Sequence, residues 1–144
     1  MAQTMIRSLA AVLIAAAPLA RADEPLVVIV NPGSGVTRLT RGQAAQIFLG
    51  NQKFLAEGLV ALPVEPANPA ENRAHFYQLL VNMSLAEVRT YWTQVFFNDQ
   101  AQPPHQAKNS DEVLEFVATG KGAVGFIEQS KLNRRVRAVL TLGN

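Results

Sequence analysis

Gly33, Ser34, Gly35 and Thr37 place two glycines and two hydroxyls within five positions, directly after a run of apolar residues. Glycines let successive backbone amides turn into a concave nest and hydroxyls add donors, so the chemistry on offer is capture of an anion. The same residues also make an ordinary tight turn after a strand. No Gly-Lys-Ser/Thr follows, which excludes a nucleotide-phosphate loop, and Pro32 stands where a nucleophile elbow carries a spaced glycine. Arg73, preceded by Asn72, is the second candidate. Its guanidinium fork suits an oxyanion, and a surface pairing with Glu71 is the plain alternative. Arg38 and Arg41 stand near the first loop and carry the same two readings.

Other chemistries find little support. His75 and His105 are the only histidines, without the spacing of a metal site and without a cysteine in the chain. Neither is placed to act as a base for Ser34, so the expectation is a protein that is not an enzyme and uses no cofactor or metal. With no cysteine there is also no disulfide framework, and stability must come from the apolar core.

The elements that must hold these residues follow from periodicity. Leu26–Val30, reading LVVIV, is a short β-branched run suited to a buried strand, closed by Asn31-Pro32-Gly33. Thr40 precedes a helical pattern through Ala44, Ile47 and Phe48, with Gly50 placed for a left-handed cap. Residues 59–64 read as a second strand, and from about Glu71 a second helix turns Phe76, Leu79 and Leu80 to one face. Ser84 and Glu87 form a capping box for a third helix carrying Leu85, Val88, Trp92 and Val95. Tyr91 and Phe96 flank that stripe; Trp92 and Phe96, four apart, share one face and read as core, whereas the extra aromatics Tyr91 and Phe97 cannot all share it, which leaves one of these two for a partner.

Pro103-Pro104 bars a helix in the next loop, and Ser110 is placed to cap a fourth helix through Val113, Leu114 and Val117, ended by Gly120. Residues 122–127 and 136–142 read as two closing strands. Strands alternating with helices argue for an α/β fold with a mainly parallel sheet flanked by helices. The expected core comprises Val28, Ile47, Phe76, Leu79, Trp92, Val95, Leu114, Val117 and Val124.

The amino end reads as an export signal. Arg7 precedes an apolar run over residues 9–20, well short of the roughly 20 residues that cross a bilayer, and Ala20-Arg21-Ala22 is a small-residue cleavage site. Residues 1–22 are expected to be removed after Ala22, leaving one domain over residues 23–144 in the periplasm, not inserted in the membrane. Removing Arg7 and Arg21 leaves basic and acidic residues equal in number, so overall charge does not point to nucleic acid. Lys131, Arg134, Arg135 and Arg137 form a local basic run that reads as a solvated face.

Three stretches together resemble the periplasmic phosphate-binding family, the solute receptors of phosphate ABC transporters. Residues 40–50, TRGQAAQIFLG, resemble the family's first helix, with Lys53 following; residues 62–80 resemble its second strand, loop and helix. Residues 119–127, TGKGAVGFI, resemble its Gly-Ala-Ile-Gly-Tyr strand, where Gly122 and Gly125 fit close approach to a neighbouring backbone. The family's Ser-Gly-Thr anion grip is replaced by Ala70, Glu71 and Asn72, and Glu71 opposes a charged anion.

The resemblance implies a single lobe of a type II periplasmic-binding-protein-like fold. It implies a small oxyanion such as phosphate as ligand, linked to phosphate ABC transport; a membrane transporter or sensor ectodomain is the partner expected if the ligand edge serves as an interaction surface instead. An oxyanion site is expected where the loops after the first and second strands share a sheet edge, from Ser34, Gly35 and Thr37 on one side and Asn72 and Arg73 on the other. The alternative is an envelope interaction module that has lost its ligand.

Overall fold

A computed structural model describes residues 24–97 and 101–143, with the side chains of Phe96 and Phe97 excluded. The expected export signal and its cleavage point lie outside the described residues, as do the expectations for those two phenylalanine rings. The strands are β1 (Leu26–Val30), β2 (Phe54–Ala56), β3 (Leu59–Val60), β4 (Leu62–Pro66), β5 (His105–Ala107), β6 (Ala123–Glu128) and β7 (Arg137–Leu142). The helices are α1 (Arg41–Phe48), α2 (Ala70–Val81), α3 (Leu85–Phe97) and α4 (Ser110–Thr119).

All five residues of β1 are buried, as a continuous apolar run requires when a strand is covered on both faces. It lies inside a five-stranded sheet of order β5-β4-β6-β1-β7. β4 runs parallel to β5 and β6, while β1 is antiparallel to both β6 and β7. Four strands therefore point one way and β1 alone points the other, so the sheet is mainly parallel and flanked by helices.

Alternate residues of β1 face two cores. Leu26, Val28 and Val30 pack with Ile47 and Phe48 of α1, Phe76 and Tyr77 of α2, and Trp92 of α3. Val27 and Ile29 pack with Val113, Leu114 and Val117 of α4. Phe76 stacks on Phe126 with ring centres 3.6 Å apart, and Phe48 meets Phe76 edge-on at 4.9 Å. Each such ring taken fully from water contributes roughly 1.5–3 kcal/mol. Of the expected core, Leu79 and Val95 are only half-buried; the rest are buried.

The helix starts follow local chemistry. Thr40 and Gln43 form a reciprocal capping box on α1, and Ser84 Oγ accepts from the Glu87 amide at 3.2 Å before α3. Gly50 takes the left-handed conformation at φ 76° that it was expected to supply. At α4 the cap is Asn109, whose Oδ1 accepts from the Glu112 amide at 3.0 Å; Ser110 is the first helical residue instead. A side chain caps the amide three residues ahead, and Asn109 is the residue left in extended geometry.

Three strands are added where a plain loop or a single strand was expected: β2, β3 as distinct from β4, and β5. Residues 59–64 divide into β3, paired with β2, and β4, and the stretch after Pro103-Pro104 adds β5 to the sheet edge. Gly125 in β6 and Gly122 just before it do what their spacing suggested. A Cβ on Gly125 would meet Val113 Cγ1 at 2.7 Å and Val64 Cγ1 at 2.9 Å, and one on Gly122 would collide with the Val60 carbonyl.

Candidate functional site

Because β1 runs against β4, the loops after these two strands leave opposite ends of the sheet. Val30, the last residue of β1, lies level with Val124, which in turn lies level with Pro63 near the start of β4. The five residues of β1 span about 15 Å. Ser34, Gly35 and Thr37 therefore stand at the end where β4 begins, and Asn72 and Arg73 follow the end where it finishes. The two halves of the expected oxyanion site are not brought together.

The first loop is occupied with structural work. The Asn31 amide donates to the Val117 and Ala118 carbonyls at 3.0 and 2.9 Å, closing the last turn of α4, while its Oδ1 accepts from Gly33 N at 2.8 Å. Ser34 N donates to Asn31 O, and Ser34 Oγ accepts from Val36 N at 3.2 Å. Amides that an anion would need are thus spent inside the turn, and Ser34 is buried. Gly35 is left-handed at φ 75°, the conformation this turn requires.

The other end is more open. α2 starts after Pro69, which supplies no side-chain cap, and of its leading amides that of Asn72 donates to the Pro69 carbonyl at 3.2 Å. Asn72, in the first turn, donates to Glu128 Oε1, while Glu128 Oε2 is buried without a hydrogen-bond partner among the described residues. β4, β5 and β6 all finish at this edge, and Asn68 Nδ2 ties it to the Lys108 carbonyl at 3.3 Å. Ser110 begins α4 here with its Oγ buried and without a hydrogen-bond partner among the described residues.

Arg73 does not join Asn72. One position further round the helix, it turns toward β4, where its Nε lies 3.9 Å from Glu65 Oε1 and its Nη1 donates to the Ala67 carbonyl at 3.4 Å. Glu65 is buried and also accepts from the Tyr77 hydroxyl at 2.6 Å and from Gln106 Nε2 at 3.1 Å. Burial, then the Glu65 charge, push the Tyr77 hydroxyl well above the ordinary tyrosine value. This cluster escaped the sequence reading because its members come from three elements; a glutamate at a strand's buried end was the one signal available. Arg38 and Arg41 are exposed beside β7. Among the described residues no group of three or more histidine, cysteine, aspartate or glutamate side chains could hold a metal ion, and no helix is long and apolar enough to cross a membrane.

No protein-family model matches the chain, and no curated protein does. Solved structures do. An ABC-type phosphate transport receptor from Vibrio cholerae superposes with a TM-score of 0.63 at 21% identity, covering 81% of this chain and 45% of the receptor. A putative phosphate ABC transporter substrate-binding protein with bound phosphate from Clostridium perfringens gives 0.62 at 16% identity, covering 81% and 44%. PstS from Borrelia burgdorferi gives 0.61 at 14% identity, covering 81% and 46%. These neighbours are transport receptors rather than enzymes, and the chain spans less than half the length of each. The chain has the α/β fold of one lobe of the phosphate-transport substrate-binding proteins.

Proposed function

We propose that the chain is an exported solute-binding lobe, released into the periplasm by cleavage after Ala22 as one domain over residues 23–144, that takes a small protonated oxyanion such as hydrogen phosphate. The ligand meets the amino end of α2, at the edge where β4, β5 and β6 finish. The observation that carries this reading is a helix start without a side-chain cap, whose Asn72 side chain is tied to a carboxyl with one oxygen that is buried and unpartnered among the described residues. Helix amides favour negative charge, and an acceptor beside them selects an anion that still carries a proton. Of the residues expected from sequence, Asn72 stays in this site; Arg73 contributes only a distant positive charge, and Ser34, Gly35 and Thr37 are left out. One lobe cannot surround a ligand, so the dissociation constant is about micromolar to millimolar.

Calorimetric titration of the purified protein with phosphate and sulfate tests this. Binding of phosphate and not of sulfate is expected, since sulfate carries no proton near neutral pH. Absence of phosphate binding at millimolar concentration would overturn it.

A second reading, an envelope interaction module with a transporter or sensor ectodomain as partner, is favoured by one observation. Phe54 and Val60 pair across β2 and β3 and are each 53% exposed, with Leu62 at 50% beside them. Apolar side chains so placed suit a protein surface. Loss of partner capture in a Phe54→Ser variant, with phosphate binding absent, would select this reading.

A further inference from the structure

A cavity of about 430 Å³ opens between α2, α3 and β5, with Arg73 and Tyr77 of α2 in its lining and neither Asn72 nor Glu128. Its floor is apolar, made by Leu85, Val88 and Trp92 of α3. Its polar lining consists of Arg73, Arg89, Thr93 and Gln106 together with the Glu65–Tyr77 pair. Glu65 and Tyr77 are both more than nine-tenths buried and bonded to each other, so this wall is set before any ligand arrives.

The charges decide what fits. Arg73 faces Glu65, which offsets it, whereas Arg89 is exposed at the cavity and has no ion-pair partner among the described residues. The cavity therefore carries one guanidinium charge in excess over an apolar floor. An inorganic oxyanion would leave Leu85, Val88 and Trp92 wet. A neutral apolar molecule would leave Arg89 unused, and a multiply charged anion would meet Glu65. The volume lies within the 300–1,000 Å³ typical of small-molecule sites.

We infer that the cavity between α2, α3 and β5 binds a small amphipathic monocarboxylate, its apolar body on Val88 and Trp92 and its carboxylate on Arg89. The guanidinium fork matches a carboxylate with two parallel donors, which a hydroxyl cannot exploit to the same degree. This site is separate from the oxyanion edge, and neither requires the other.

Trp92 is the chain's only tryptophan, so its emission reports this cavity directly. The test is titration of the full-length protein with octanoate, octanol and inorganic phosphate while Trp92 fluorescence is followed. Octanoate is expected to give a saturable change, with octanol at least about tenfold weaker, the difference of one charge-assisted contact. Phosphate is expected to leave the emission unchanged. Arg89→Gln, at an exposed position where folding is not at stake, lowers octanoate affinity at least about tenfold and leaves octanol as it was. No saturable response to octanoate, equal response to octanol, or an unaltered Arg89→Gln variant would each overturn the inference.

Discussion

The Tyr77 hydroxyl donates a 2.6 Å hydrogen bond to the Glu65 carboxyl, joining the second turn of α2 to the end of β4 inside the protein. Glu65 is 6% exposed, and the bond supplies part of what water would otherwise provide. Tyr77→Phe keeps the ring and removes only the donor. Chemical unfolding should show a loss of about 1.5–3 kcal/mol, the range for a bond to a charged group. A change within error would mean that the Gln106 bond alone satisfies the carboxyl.

The same pair sets a response to alkali. Burial, then the Glu65 charge, raise the Tyr77 proton affinity above that of an unfolded tyrosine, whose ordinary value is about 10. Above that pH the folded chain holds a proton the unfolded chain releases, so stability falls as pH rises; below it the contribution is fully present. The advantage of wild type over Tyr77→Phe should narrow between about pH 9.5 and the higher folded value. Parallel urea titrations of the two proteins across that window measure it, and a constant gap would refute it.

Gly125 lies in β6 where Val113 approaches from α4 and Val64 from β4. Gly125→Ala places a methyl within 2.7 Å of Val113 Cγ1, and the Val64 carbonyl at 3.1 Å hinders a backbone retreat. The expected cost is about 1–3 kcal/mol, read as a lower midpoint in urea. An unchanged midpoint would show that β6 and α4 can separate freely.

Trp92 packs with Val88 on the inner face of α3 and is 9% exposed. Trp92→Ala should cost about 3–5 kcal/mol in urea unfolding. A loss below about half a kcal/mol would place the third helix outside the cooperative core.

Glu128 offers its second oxygen at the edge where the oxyanion is proposed to bind. In Glu128→Gln the negative charge is gone and an amide can donate. Calorimetry should find the preference for phosphate over sulfate reduced at least about tenfold, the effect of one charged contact. Retained selectivity would mean that Glu128 does not touch the ligand.

Local signals were legible because their causes lie within a few residues. The Thr40–Gln43 and Ser84–Glu87 caps each close over three positions, the buried run of β1 needs only five consecutive residues, and Gly122 and Gly125 announce close approach by lacking a side chain. The lobe-like order of elements was readable for the same reason. Asn109 displaced Ser110 as a cap because two adjacent capping residues differ only in backbone geometry, which composition does not record.

The sequence by itself determined the four helices and the strands β1, β4, β6 and β7, though not the short strands β2, β3 and β5, since periodicity follows from the pitch of each longer element. Only the tertiary structure decided the direction of β1, because an all-apolar run buried on both faces packs equally well either way round. That one reversal puts Ser34 and Asn72 at opposite ends of the sheet. It also took tertiary contact to join Glu65, Arg73, Tyr77 and Gln106, whose pairing depends on where β5 and α2 settle against β4 and not on any spacing along the chain.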